Sequence, residues 1–459
     1  MHKLLVANRG EIACRILSSA RSIGLATVAV YSDTDAEAPH VALADEARRV
    51  GPARAQQSYL DQDAILAAAR DTGATLIHPG YGFLAENAGF AARCGREGLV
   101  FVGPRPETIA AMGDKEQARA LARAAGVPVL PGTDKLPPDE ATVAAAAASI
   151  GFPLLIKAAA GGGGIGMRLV ETPEALAAGI AATRGLAERA FGSGAVYLER
   201  YVRRARHVEV QVFGFGDGRA VHLFDRDCSL QRRHQKVIEE ALAPGLGETT
   251  RAAMAQVSVD LAGSCAYDGA GTIEFLYDDD TGGFFFLEMN TRIQVEHGTT
   301  ELVTGVDLVA AQLRHAIGED VAAELTQDQI RHDGHAVEAR VYAEDPARRF
   351  MPSPGTITGL VLPHGPGVRV DTGCRAGSVV TPFYDPMIMK VMAHAASRDE
   401  AIDRLIGALG DLRIDGLTTN VGWLRAVLDH PAFRAGRLST DFLTAHQAEI
   451  EQQQARQAA

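Results

Sequence analysis

No stretch of this 459-residue chain is apolar for long enough to cross a bilayer. The longest runs, Ala144 to Ala148 and Phe152 to Ile156, fall far short of the roughly 20 residues that a spanning helix needs. The N-terminus meets charge at Lys3, Arg9 and Glu11 before a signal-peptide core could form. A basic excess is also missing: the net charge is −12, which argues against bulk binding to nucleic acid or to an anionic membrane. The five cysteines (Cys14, Cys94, Cys228, Cys265, Cys374) are odd in number, widely spaced and never in a CxxC pair. Zinc and a disulfide framework are therefore disfavoured, and a reducing, cytoplasmic setting is expected. What the chain does have is 47% hydrophobic content, enough for large cores in two or three domains.

The first quarter alternates strands and helices. Residues 3–8 read as a buried strand, 11–23 as an amphipathic helix and 27–31 as the next strand, a βαβ unit. Helices at 63–70 and 86–96, with strands at 75–78 and 99–102, extend this into a doubly wound parallel α/β sheet over 1–112. The first strand-to-helix turn, Ala7-Asn8-Arg9-Gly10-Glu11, lacks G-x-G-x-x-G, so a dinucleotide site is disfavoured. Further on, the spacing predicts helices at 114–125 and 141–149 and strands at 152–158 and 167–170. Thr172-Pro173-Glu174 is expected to cap another helix. Strands follow at 196–199, 207–213, 220–225, 271–276 and 284–290. Short strands with Gly/Pro turns begin near 333, then a helix at 399–410 and a helical stretch at 419–447. The Gln/Ala-rich end, 448–459, reads as a frayed helix or a disordered tail.

Residues 286–296 carry the strongest chemical signal. Read as an extended strand, Leu287, Met289, Ile293 and Val295 share one face, and Glu288, Asn290, Arg292, Gln294 and Glu296 the other. A plain half-buried strand has the same alternation. The polar order, however, suits a magnesium–phosphate site beside an anion pocket and a base, and Glu274 on the preceding strand offers another carboxylate. A second signal is the glycine run Gly161-Gly162-Gly163-Gly164-Ile165-Gly166-Met167 between two strands. It reads either as a floppy hairpin loop or as a lid whose bare N–H groups close over phosphates. It is not a Walker A loop, because Gly-Lys-Ser/Thr is missing. Lys157 and Lys115 could reach phosphate oxygens, though alone each is an ordinary surface charge. The run from Arg226 to Lys236 suits a cationic surround for phosphate or bicarbonate better than a nucleic-acid patch. Cys228 inside it reads as packing, since no dedicated base for a thiol nucleophile is evident.

Together these motifs resemble the ATP-grasp enzymes, and among them the biotin carboxylases, over nearly the whole chain. The resemblance also includes His78-Pro79-Gly80-Tyr81-Gly82-Phe83-Leu84-Ala85-Glu86-Asn87, Met112-Gly113-Asp114-Lys115, and Gly334-His335-Ala336-Val337-Glu338-Ala339-Arg340. It implies an N-terminal domain at 1–112, an ATP-grasp domain at 113–332 with a lid at about 131–203, a C-terminal α/β domain at 333–447, and a tail.

By the same resemblance, ATP would lie between lid and central sheet. Lys115, Lys157 and the lid from Gly161 to Met167 would hold phosphates, and Glu199 and Val202 would meet adenine. His207, Gln231 and His234 would line the ribose and phosphate side. Glu274 and Glu288, with Asn290 nearby, would ligate magnesium or manganese, two ions in all. Lys236, Arg292, Gln294 and Val295 would bind bicarbonate, and Glu296 would deprotonate it. Arg340 would stabilise the biotin enolate beside Tyr81 and Gly82. The implied reaction carboxylates biotin on a separate carrier protein, as the first half-reaction of an acyl-CoA carboxylase, acetyl-CoA carboxylase first among them. A carboxyltransferase would be a further partner, and the chain a homodimer. An ATP-grasp ligase for another carboxylate and a non-catalytic nucleotide-binding paralogue are the competing readings.

Two positions depart from the family pattern. Ile165 stands where the lid usually carries Lys or Arg, and Gly298 stands where Pro usually follows Glu296-His297, which is expected to loosen the turn beside the base. Arg200, where Lys is common, is a mild change. Met389-Lys390-Val391-Met392 faintly resembles a biotinylation site, but its context matches a strand of the carboxylase itself.

Overall fold

The structure, a computed structural model, describes residues 2–137, 139–159 and 166–458. Residues 161–165, the centre of the expected lid, lie outside them. Five parallel strands form the N-terminal sheet in the order Glu46–Gly51, Ala26–Ser32, Lys3–Val6, Leu76–His78, Val100–Phe101. Helix Gly10–Ser22 buries Ile12, Ala13, Ile16, Leu17 and Ala20 against it, a helical apolar stripe visible in the sequence. Strand Glu46–Gly51 was not expected. It sits at the sheet edge, and its Glu46, Arg48 and Arg49 hide the apolar alternation that marks inner strands.

An eight-stranded antiparallel sheet dominates the rest. Its order is Phe284–Asn290, Asp268–Asp278, Ala205–Phe215, Ala220–Arg232, Gln235–Ala241, His335–Tyr342, Met387–Ala395, Val368–Thr372. Strand Gln235–Ala241 pairs with His335–Tyr342, Ile238 opposite Ala339, so one continuous sheet crosses the expected boundary at 332. A smaller sheet places Leu154–Ala158 between Met167–Val170 and Val196–Arg200. The glycine run therefore joins two adjacent antiparallel strands, and Ala158 N donates to Gly166 O at 2.9 Å at its base.

Three expectations need correction. Strand Phe284–Asn290 ends at Asn290, so residues 291–296 do not continue one alternating face. A β-bulge within it shifts the register between Glu274 opposite Glu288 and Phe275 opposite Phe286. The extra residue, Leu287, is turned outward and is 40% exposed, while Phe286 and Met289 both reach the core. At Thr172 the side chain makes no capping bond; a 3-10 turn, Pro173–Ala175, leads into helix Leu176–Phe191. Of the two readings of the tail, disorder gives way to helix among the described residues: Gln447–Ala458 is a helix that buries Ile450 and bonds Gln453 Nε2 to Asp429 Oδ2 at 2.8 Å.

Buried Glu240 ties the sheet to helix Arg398–Asp411. Its oxygens accept from Arg398 Nε (2.6 Å) and Nη2 (2.9 Å), and Oε2 lies 2.7 Å from His335 Nε2. Burial alone would raise its pKa; the Arg398 charge outweighs that and holds the carboxyl down at about 2. A depressed folded-state pKa stabilises the fold above the ordinary carboxylate range, and that stability is lost as pH falls towards about 2. Glu240→Ala is expected to cost about 3–5 kcal/mol at neutral pH, because it strands a largely buried guanidinium. Thermal or denaturant unfolding checks this, and an unchanged midpoint would contradict it.

Candidate active site

Twelve of the expected site residues converge on a cavity of about 370 Å³. His207, Gln231, Lys236 and Glu274 line it from inner strands, His234 from the turn before Lys236, Glu288 and Asn290 from the edge strand, and Arg292, Gln294, Val295 and Glu296 from the segment after it. Arg340 closes it from strand His335–Tyr342. A second cavity of about 510 Å³ is walled by Tyr81 and Gly82 together with Asn8, Phe83, Phe383 and Tyr384. Arg292, Val295, Arg340, Tyr342 and Asp385 line both, so the two spaces adjoin across the two guanidinium groups.

Lys236 is the centre of charge. Its ammonium donates to Glu209 Oε2 (2.6 Å), Glu274 Oε1 (2.9 Å) and Glu296 Oε1 (2.6 Å). Burial would lower its pKa, but the acidic groups around it, Cys228 and these carboxylates, push it well above the ordinary lysine value. Glu296 is buried too, and burial alone would keep it protonated. Lys236 and then Arg340, whose Nη2 donates to Oε2 at 2.9 Å, hold it well below the usual carboxylate range instead. It is thus ionised at neutral pH, as a proton acceptor must be.

Glu274 and Glu288 face each other on neighbouring strands. Burial and the nearby Glu274 charge raise the pKa of Glu288, which His207 and then Lys115 partly offset. Glu274 is held down, against its burial, by Lys236 and by His207, whose Nε2 lies 2.9 Å away. Two facing carboxylates with an amide, Asn290, bonded to one of them at 2.9 Å make an oxygen-rich position that fits a hard divalent cation. Glu86, at the end of the His78–Asn87 motif, accepts from Arg292 Nε at 3.0 Å and orients it.

Not every expected residue reaches these cavities. Lys157 and Glu199 project from adjacent strands of the small sheet and bond directly to each other, with Arg119 Nη1 3.6 Å from Glu199. Lys115 opens helix Lys115–Ala124 and is exposed; Gly166, Met167 and Val202 lie at or beside the small sheet. The basic run 226–236 is only partly an anion surround. Arg226 is buried and spends its guanidinium on Glu209, Gln211, Thr272, Gln294 and Thr300, while Arg232 pairs with Glu344. Cys228 is fully buried, and burial drives its thiol pKa well up, which makes it inert packing.

At Gly298 the backbone is regularly helical. It lies in helix His297–Thr304, whose start is held by Thr299 N and Oγ1 on Glu296 O at 3.1 and 2.9 Å. A side chain there would meet Met392 Sδ at 2.4 Å, so Met392 occupies the space a larger residue would need. Sequence reasoning missed Glu209, which touches both Lys236 and Arg226. Its position two residues after His207 on one strand face was the available signal.

This pairing of an antiparallel, carboxylate-lined sheet with a small three-stranded sheet is that of an ATP-dependent ligase of the ATP-grasp class. The model for the biotin carboxylase N-terminal domain matches residues 1–109, that for the carbamoyl-phosphate synthase L chain ATP-binding domain 114–324, and that for the biotin carboxylase C-terminal domain 338–445. A biotin carboxylase of Pseudomonas aeruginosa is 50% identical over 96% of this chain and 98% of its own. The methylcrotonoyl-CoA carboxylase alpha subunit of Oryza sativa is 47% identical over 98% of this chain and 61% of its own. A solved biotin carboxylase domain dimer of Hydrogenobacter thermophilus 2-oxoglutarate carboxylase, in complex with MgADP, ADP and bicarbonate, aligns at TM-score 0.88. It shares 41% identity over 98% of each chain. The chain belongs to the biotin carboxylases.

Proposed function

We propose that this chain carboxylates biotin, presented by a separate carrier chain, using ATP and bicarbonate. The observation that carries this is the adjoining of the two cavities at Arg292, Val295 and Arg340, one holding an ionised base and the other walled by Tyr81 and Gly82. Bicarbonate would bind Lys236, Arg292 and the backbone at Gln294 and Val295. Glu296 would take its proton while the cationic pair offsets the developing charge. The resulting oxyanion would attack the γ-phosphoryl group of ATP, held by Lys115, Lys157 and the lid, and form carboxyphosphate. Glu199 and Val202 would seat adenine, and His207, Gln231 and His234 the ribose and phosphate side. Glu274, Glu288 and Asn290 would hold two magnesium or manganese ions, which when bound neutralise phosphate charge. Carboxyphosphate would then break to carbon dioxide and phosphate, phosphate would take the ureido proton of biotin, and Arg340 would stabilise the enolate until it captures carbon dioxide.

The half-reaction would serve an acyl-CoA carboxylase, and we propose acetyl-CoA as the acceptor of its carboxyltransferase partner, with the chain a cytoplasmic homodimer. Relatives named for methylcrotonoyl-CoA and 2-oxoglutarate carboxylases share this architecture, which supports a choice of acceptor made on another chain. Among the described residues no helix is long and apolar enough to cross a membrane. The test is ADP release from magnesium-ATP with bicarbonate, with and without free biotin. Turnover that needs bicarbonate and rises with biotin is expected; turnover indifferent to both would point to another ATP-grasp ligase.

A further inference from the structure

Lys390, in the segment that superficially resembles a biotinylation site, is fully buried on strand Met387–Ala395. Its ammonium donates to the backbone carbonyl of Val295. Three carboxylates surround it at longer range: Glu338 Oε2 and Asp371 Oδ2 at 3.7 Å, and Glu11 Oε1 at 4.0 Å. None of these is close enough for a direct hydrogen bond, and among the described residues neither oxygen of Glu338 has a hydrogen-bond partner. The carboxylates keep the ammonium charged in a dry place, against the burial that opposes it. Among the described residues, the one hydrogen bond this charge makes is to Val295.

That carbonyl belongs to the peptide that joins Val295 to Glu296. Because the peptide unit is planar, holding its oxygen also fixes the backbone start of Glu296 and the wall that Val295 gives to both cavities. Residues 291–296 are irregular backbone between strand Phe284–Asn290 and helix His297–Thr304, with no sheet ladder to hold them. Glu11 also accepts from the Tyr81 hydroxyl, so the cluster around Lys390 reaches helix Gly10–Ser22 and the wall of the second cavity.

We infer that Lys390 is a positioning residue for the bicarbonate pocket, acting from behind through the Val295–Glu296 peptide. The inference rests on the bicarbonate reading of that pocket. A purely structural lysine would neutralise its carboxylates and affect all substrates alike. A positioning lysine affects the one that touches this segment.

The test compares wild type, Lys390→Met and Lys390→Met/Glu338→Gln by steady-state ADP release, titrating bicarbonate and ATP separately. The double variant also replaces the buried acid left facing the apolar side chain, and is read in place of the single one if that fails to fold. Loss of a charge-assisted hydrogen bond predicts a rise in the bicarbonate KM of about tenfold or more, with the ATP KM within about twofold of wild type. A bicarbonate KM that is unchanged, or that moves in step with the ATP KM, overturns the inference. Wild type that shows no bicarbonate-dependent turnover would instead overturn the proposed function, so the two failures are distinguishable.

Discussion

Replacing Glu296 with Gln is expected to cut bicarbonate-dependent turnover by between about 10² and 10⁴, the range associated with loss of a positioned general base. Glu296 receives both Lys236 and Arg340, and these cations keep it ionised where burial alone would protonate it. Gln keeps the shape and a carbonyl acceptor but cannot take a proton. Lys236 would retain Glu209 and Glu274 as partners, so the cavity should survive. ATP affinity, measured directly by equilibrium binding, is expected to stay close to wild type. The pH dependence has a definite sign as well: with its carboxyl well below the ordinary range, Glu296 should not be the group that ends activity as pH falls through 6 to 5. Turnover within about twofold of wild type would remove Glu296 from the chemistry, since a general base is worth far more than that.

Arg340→Met should separate the two halves of the reaction. Arg340, like Arg292, lines both cavities, and its Nη2 donates to Glu296, the proposed base. Loss of a donor aimed at a developing oxyanion in a dry site costs about 10² to 10³. Carboxybiotin formation is therefore expected to fall by that order. Bicarbonate-dependent ADP release should fall much less, because Glu296 keeps Lys236 and Arg292 remains on Glu86. The variant would then spend ATP on carboxyphosphate that water destroys. Glu239, 2.7 Å from Arg340 Nε, already sits at about pKa 7 through burial, so the lost cation can be met by protonation rather than unfolding. Parallel loss of ADP release and carboxybiotin would place Arg340 in the bicarbonate step instead.

How far the sequence carries differs between backbone and charge. The βαβ start was legible because Ile12, Ile16 and Ala20 repeat at helical spacing and Lys3–Val6 is a short apolar run. Strand Glu46–Gly51 was not, because an edge strand need not alternate, and helix Glu248–Ser264 was passed over because its apolar residues form no clear stripe. At the site, Glu274, Glu288, Lys236 and Glu296 were found by residue type and family pattern. Alternation misplaced Leu287 because a bulge leaves no mark on composition. Partnerships were the least legible part. Nothing local in the chain says that Arg226 will be spent on five buried acceptors, or that Lys390 will end behind Val295, some 95 residues away. Such contacts depend on how strands far apart in sequence come to be neighbours in one sheet.

The most direct test of the central claim is to follow label from radioactive bicarbonate in the presence of magnesium-ATP and free biotin. The account predicts acid-labile label on biotin, formed in step with ADP and abolished in Glu296→Gln. Robust ADP formation with no label on biotin at any biotin concentration would contradict it.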